Sequence, residues 1–182
     1  MSGAVVLLSG PVGAGKTTLA EAIVKDLGLT RLFTRDAILR RLPDTRRTRV
    51  DLQAAGEHLD RETGGRWVAD ELSELVKVGR AARGVVVDAV LITEQVEAVR
   101  QVAKGPTIHV HLTAPRHELE SRYARKRGGI QESDRYSDLL HSATEANVDQ
   151  LGKLADLVFD TSVTPLEQEL AQIVQQLDKA VA

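Results

Sequence analysis

Eight residues near the start of the chain, Gly10-Pro11-Val12-Gly13-Ala14-Gly15-Lys16-Thr17, have types and spacing suited to holding a polyphosphate. They fit the pattern G-x-x-x-x-G-K-[ST]. Gly10 and Gly15 permit backbone angles and close approaches that a side chain would block. The amides of Gly13, Ala14, Gly15, Lys16 and Thr17 can then turn inward as a nest for phosphate oxygens. A helix beginning near Gly15 adds its positive N-terminal end. Lys16 is expected to reach the outer phosphates, Thr17 to offer its hydroxyl to Mg²⁺, and Thr18 to support the helix start.

The cations add a second chemical signal. Of 24 Lys and Arg residues, seven lie between Arg31 and Arg49 and five between Arg116 and Arg127. The net charge is only −2, which argues against a nucleic-acid partner and for two local anion-handling regions. Arg suits such regions because its fork can bind two phosphate oxygens together. His109 and His111 share one face of an expected strand, but two imidazoles without a third ligand make a weak metal site.

These residues need a scaffold. The apolar run Ala4 to Leu8 reads as a strand, and Leu19, Ile23 and Leu27 give the helical stripe that should follow the loop. Leu29–Phe33, Val85–Asp88, Thr107–Leu112 and Asp156–Asp160 read as four further strands. Between them lie helical patterns. One carries Ile38, Leu39 and Leu42; another Leu52, Ala55 and Leu59; a longer one Val68, Leu72, Leu75, Val76 and Gly79 on one face. Val96, Val99 and Val102 mark a further helix, Pro115 opens one that runs into Arg122–Arg127, and another is expected over Ser137–Leu151. Thr164-Pro165-Leu166-Glu167 has the form of a capping box for the last helix.

Alternating strands and helices imply a three-layer α/β/α domain with a five-stranded parallel sheet, expected to span residues 1–182. Ligands in such folds gather at the carboxyl ends of the strands. That rule selects the Gly10 loop, Thr34-Arg35-Asp36, Asp88, Thr113 and Thr161 to Thr164. The absence of cysteine removes disulfides, thiolate metal sites and cysteine catalysis, and suits a reducing cytoplasm. No apolar run approaches membrane-spanning length, and the N-terminus reads as the first strand rather than a signal peptide.

The chain resembles the nucleoside and deoxynucleoside monophosphate kinase families of P-loop enzymes. The likeness is sharp at Gly10–Thr17 and follows the element order along nearly the whole chain. Arg49-Val50-Asp51-Leu52-Gln53-Ala54-Ala55-Gly56, with Trp67 downstream, is similar to the acceptor-side segment of deoxynucleoside monophosphate kinases. Arg122 to Arg127 resembles the arginine-bearing lid of adenylate-kinase-like enzymes, here about 122–136, and Phe159 to Pro165 the loop beside the donor base.

The resemblance implies ATP and Mg²⁺ as cofactors and a small-molecule substrate, a nucleoside monophosphate. Lys16 and Thr17 would handle the donor phosphates and Mg²⁺, and Asp88 would order metal-bound water or position the acceptor. Thr34, Arg35, Asp36 and Arg49, with Arg40 as a further candidate, would contact the acceptor within a helical segment of about 35–82; Gln53 could read its base. Arg122 would stack on the donor base or touch its phosphates, Arg125, Lys126 or Arg127 would act from the lid, and Thr161 would lie along the nucleotide. One departure stands out: these families usually carry an arginine three or four residues after the aspartate matching Asp88, where this chain has Leu91 and Ile92. A kinase of another small metabolite or a polynucleotide end, with Asp36 or Asp88 as general base, is the rival enzyme reading. A non-catalytic ATP-binding switch is the rival outside catalysis.

Overall fold

A computed structural model of the chain describes residues 3–126 and 147–180. Five parallel strands are ordered β2-β3-β1-β4-β5: β1 (Ala4–Ser9), β2 (Thr30–Phe33), β3 (Gly84–Asp88), β4 (Thr107–Thr113) and β5 (Leu157–Asp160). The described helices are α1 (Lys16–Leu27), α2 (Thr34–Arg41), α3 (Arg49–Thr63), α4 (Trp67–Lys77), α5 (Thr93–Val102), α6 (Arg116–Lys126), α7 (Val148–Leu154) and α8 (Leu166–Lys179). None is long and apolar enough to cross a membrane.

Every residue of β1 is buried, as expected of a central strand covered on both faces. Its alternate side chains feed two cores. Ala4, Val6 and Leu8 pack with Leu19 and Ile23 of α1, Val110 and Leu112 of β4, and Ile173 and Leu177 of α8. Val5 and Leu7 pack on the other face with Trp67, Val68 and Leu72 of α4, Val96 and Val99 of α5, and Leu151 of α7. Neighbouring strands β1 and β3 pair in parallel, with Leu8 opposite Asp88, and the helices that follow them, α1 and α5, belong to opposite layers. Their outgoing loops diverge there and open a crevice, the usual ligand position of an open parallel sheet.

Local chemistry moves several boundaries from those the sequence suggests. β2 begins at Thr30, because Gly28 takes a left-handed turn (φ 67°) that closes α1, and buried Leu29 completes the turn. β5 begins at Leu157, since the Asp156 carboxylate accepts from the His109 amide at 2.7 Å and from Arg100 at 2.8 Å. Val76 does not share the buried face of α4 and is 53% exposed, while Gly79 lies beyond the helix end at φ 72°. The capping box does not form. Pro165 occupies the position before α8, and no side chain caps the helix. Of the helix expected over Ser137–Leu151, residues 137–146 lie outside the described residues, and α7 starts at Val148.

Candidate active site

The loop from Gly10 to Gly15 joins the buried end of β1 to the first turn of α1. Gly10 adopts φ 134°, and a Cβ there would stand 2.2 Å from the Leu112 carbonyl oxygen of β4, so the loop seats against the sheet only through glycine. Gly13 and Gly15 also have positive φ, 87° and 99°. Ala14 is buried beneath the turn, its amide donating to Pro11 O at 3.2 Å. Lys16 Nζ curls back over the loop, donating to the carbonyls of Gly10 at 2.6 Å and Pro11 at 2.8 Å. Thr17 and Thr18 stand exposed on the first turn of α1.

A cavity opens on each side of this loop. The first, about 480 Å³, is lined by Gly13, Gly15 and Thr18 together with Arg122, Arg125, Thr161, Thr164, Leu166 and Glu169. The Thr161 amide donates to Thr113 O at 2.9 Å, which pins the β5 turn beside the end of β4. Arg122 donates to Thr161 Oγ1 at 2.7 Å and Thr161 O at 3.1 Å, so its guanidinium is held across the cavity wall. The structure thus brings together Gly13, Gly15, Thr18, Arg122, Arg125 and Thr161 from three distant parts of the chain. Arg127 and the rest of the expected lid to residue 136 lie outside the described residues.

The second cavity, about 380 Å³, reaches from Gly10, Val12 and Lys16 across to Thr34 and Arg35 of α2, Arg47, and Arg49 and Gln53 of α3. Val90, Leu91 and Leu151 supply apolar wall. Among the described residues, four cationic side chains and no carboxylate form its lining. Lys16 therefore stands at the boundary between phosphate loop and cationic chamber. The Thr34 hydroxyl is already committed: it donates to Asp88 O and accepts from the Ala89 amide, both at 3.2 Å, clipping β2 to β3. Gln53 Nε2 donates to Glu57 at 3.1 Å.

Three expected acceptor-side groups, Asp36, Arg40 and Asp88, do not line this cavity. Asp36, 48% exposed and 3.6 Å from Arg35, faces a separate depression beside β2 with Arg40 and Glu71. Arg40 is engaged there by Glu71 at 2.5 Å. Asp88 ends β3 in a close ion pair with Arg31, each side chain only 10% exposed, and the Arg31 guanidinium lies 3.9 Å from the Phe33 ring centre. Arg31 takes Asp88 Oδ2, while no described group hydrogen-bonds Oδ1.

Buried polar networks brace the floor. Ser9 Oγ, the last residue of β1, bonds His109 Nε2 at 2.7 Å and His111 Nδ1 at 2.8 Å. Burial pushes the His109 imidazole down to about 4, with His111 and Arg100 adding repulsion; burial and then Lys16 lower His111. Two neutral imidazoles sharing a hydroxyl form a structural brace, and no cluster able to hold a metal ion occurs among the described residues. On the opposite wall, Asp60 accepts from Trp67 Nε1 at 2.7 Å and from Gln95 Nε2 at 2.8 Å, and Gln95 Oε1 accepts from the Leu91 amide at 2.8 Å. That relay fixes the Leu91 stretch, where the related kinases usually place an arginine. Trp67, 1% exposed, is core.

Sequence reasoning overlooked Arg31, Arg47, Gln95 and Glu169. Only Glu169 carried a legible signal: it interrupts the apolar stripe of α8 at four-residue spacing before Ile173 and Leu177.

A family model described as "AAA domain" (AAA_33) matches residues 5–153, most of the chain. Among curated proteins, the adenylate kinase of Carboxydothermus hydrogenoformans is 33% identical over 67% of this chain. That alignment covers 59% of the relative, so the match spans less than two thirds of its length. The guanylate kinase of Chlamydia abortus is 28% identical over 76% of this chain and 72% of its own. A sugar kinase from Janibacter sp. HTCC2649 shares the fold with TM-score 0.64 and 20% identity, covering 98% of this chain and 95% of that one. The phosphate-loop geometry, the parallel sheet and these likenesses agree: the chain belongs to the AAA domain family and has the P-loop, nucleoside-monophosphate-kinase-like architecture.

Proposed function

We propose that the protein is an ATP- and Mg²⁺-dependent phosphotransferase whose acceptor is a nucleoside or deoxynucleoside monophosphate. The observation that carries this reading is the lining of the second cavity: Lys16, Arg35, Arg47 and Arg49, with no carboxylate among the described residues. A hydroxyl acceptor would need a base at its oxygen. A phosphate acceptor already carries nucleophilic oxygens and needs cations to offset its charge and that of the donor.

In this reading the amides of Gly13 to Thr17 hold the donor polyphosphate, and the first cavity holds its nucleoside between Thr18, Arg122 and Thr161. Lys16 Nζ leaves the loop carbonyls for phosphate oxygens at the junction of the two cavities. An oxygen of the acceptor phosphate bonds to the γ-phosphorus as the bond to the β–γ bridging oxygen breaks, and the nucleoside diphosphate leaves. The Thr17 hydroxyl is a donor of the oxygen type Mg²⁺ prefers and would hold it, while Asp88, paired with Arg31 through Oδ2, would order water around it through Oδ1. The bound ion would neutralise charge on the transferring group. Arg35 and Arg49 anchor the acceptor, replacing the arginine absent at Leu91 and Ile92, and Gln53 faces its base.

A coupled assay over nucleoside monophosphates, sugars and other hydroxyl compounds tests the proposal. Turnover with one or more monophosphates is expected. Turnover confined to hydroxyl compounds would move the protein to the rival kinase class, and tight ATP binding without transfer to any acceptor would make it a switch.

A further inference from the structure

Among the described residues, Glu169 is the one buried carboxylate lining either cavity at the phosphate loop. It is 4% exposed, lies in the first turn of α8, and lines the first cavity with Thr18, Thr161, Thr164 and Arg122. No described group hydrogen-bonds its side chain. Polar groups in a protein interior normally find a hydrogen-bond partner. A carboxyl this buried that lines a ligand cavity, without a described protein partner, is placed to meet a ligand.

We propose that Glu169 selects the donor nucleobase, hydrogen-bonding it and making this cavity prefer adenine to guanine. The inference rests on the reading of the first cavity as the donor nucleoside site. Its chemistry follows from complementarity. A protonated carboxyl presents one donor and one acceptor. Adenine offers the matching pair, the N1 acceptor and the N6 amino donor. Guanine presents two donors, N1–H and the N2 amino group, which fit an ionised carboxylate. A site built to bond one pattern rejects the other because a buried polar atom is then left unmet.

The surroundings favour the protonated form. Burial pushes Glu169 up to about 7, and Arg122 opposes this more weakly. The charged groups facing it are Arg122 and Arg125, both from α6. α1 offers Thr18 and Leu19, the β5–α8 turn offers Thr161 and Thr164, and α8 itself Leu166, all uncharged. Adenine preference should consequently weaken as the carboxyl ionises.

Equilibrium titration of the full chain with Mg-ATP and Mg-GTP, at about pH 6 and about pH 8.5, tests this on either side of the titration. Wild type is expected to prefer ATP by on the order of tenfold at the lower pH, with the ratio shrinking at the higher. Glu169→Gln, whose amide permanently carries one donor and one acceptor, should keep the preference at both. Glu169→Leu should bind both nucleotides through the phosphate loop without discriminating. Discrimination in Glu169→Leu equal to wild type, or a wild-type ratio indifferent to pH while nucleotides still bind, would overturn the role of Glu169 and leave the donor site standing. Failure of wild type to bind either nucleotide would remove the donor site and this assignment together.

Discussion

At the scale of single residues, the site is defined by which charges are already partnered within the fold. Asp88 and Arg31 neutralise each other at 10% exposure, whereas Arg35, with only exposed Asp36 3.6 Å away, lines a shared chamber with Arg47 and Arg49. Removing Asp88 leaves the buried Arg31 guanidinium only its longer 3.5 Å contact with exposed Glu21, so Asp88→Ala should lose roughly 3 kcal/mol in denaturant unfolding. Adding Arg31→Leu should recover much of that loss; an additive double variant would show the pair to be uncoupled. Lys16→Ala should lower kcat by at least about a hundredfold, because phosphate charge then develops without its cation, yet leave the circular dichroism spectrum intact. Arg49→Ala should raise the acceptor KM by roughly tenfold or more and change the ATP KM little, since it lines only the acceptor chamber.

At the scale of elements, β1 and its loop were readable in advance because both layers of information agree there. A wholly buried strand, three positive-φ glycines and a helical stripe leave one geometry available. Gly10→Ala tests that seating: with a Cβ 2.2 Å from Leu112 O and a strained φ, it should cost more than about 2 kcal/mol and weaken nucleotide binding. Unchanged stability and affinity would show that the loop seats otherwise. Other features depend on partners far along the chain, which local patterns do not encode. Arg31 meets Asp88 across 57 positions, Arg122 meets Thr161 across 39, and Gln95 reaches Asp60 across 35. The Thr164–Glu167 pattern looked like a capping box, yet extended Pro165 (ψ 147°) shifted the helix start by one residue. Asp36 shows the same limit: its position after β2 was visible, but its facing toward Arg40 and Glu71 rather than the chamber is set by packing of α2 on α4.

At the scale of the whole molecule, two buried titratable groups give opposite pH responses. His109 stays neutral in the fold down to about 4, whereas the unfolded chain takes the proton near 6.5, so this group removes stability as pH falls through that window. Glu169 keeps its proton in the fold up to about 7 against 4.5 unfolded, so it removes stability as pH rises. Between about 4.5 and 6.5 the two proton uptakes cancel. Glu169→Gln should expose the His109 response, adding a rise in stability with pH of up to about 1.4 kcal/mol per unit relative to wild type. Parallel stability–pH curves for the two proteins would contradict that balance.

The same whole-molecule view places Lys16 on the wall of the chamber bounded by Arg35, Arg47 and Arg49, while its loop neighbours Gly13 and Gly15 line the cavity bounded by Arg122 and Thr161. A two-headed inhibitor, two nucleosides joined by a polyphosphate, measures this directly by calorimetric titration against ATP. The account predicts that it binds at least about tenfold more tightly than ATP, and that Arg49→Ala removes the extra affinity while leaving ATP binding unchanged. Equal affinity for the inhibitor and ATP in wild type, or an inhibitor affinity indifferent to Arg49, would contradict the second chamber as an acceptor nucleotide site.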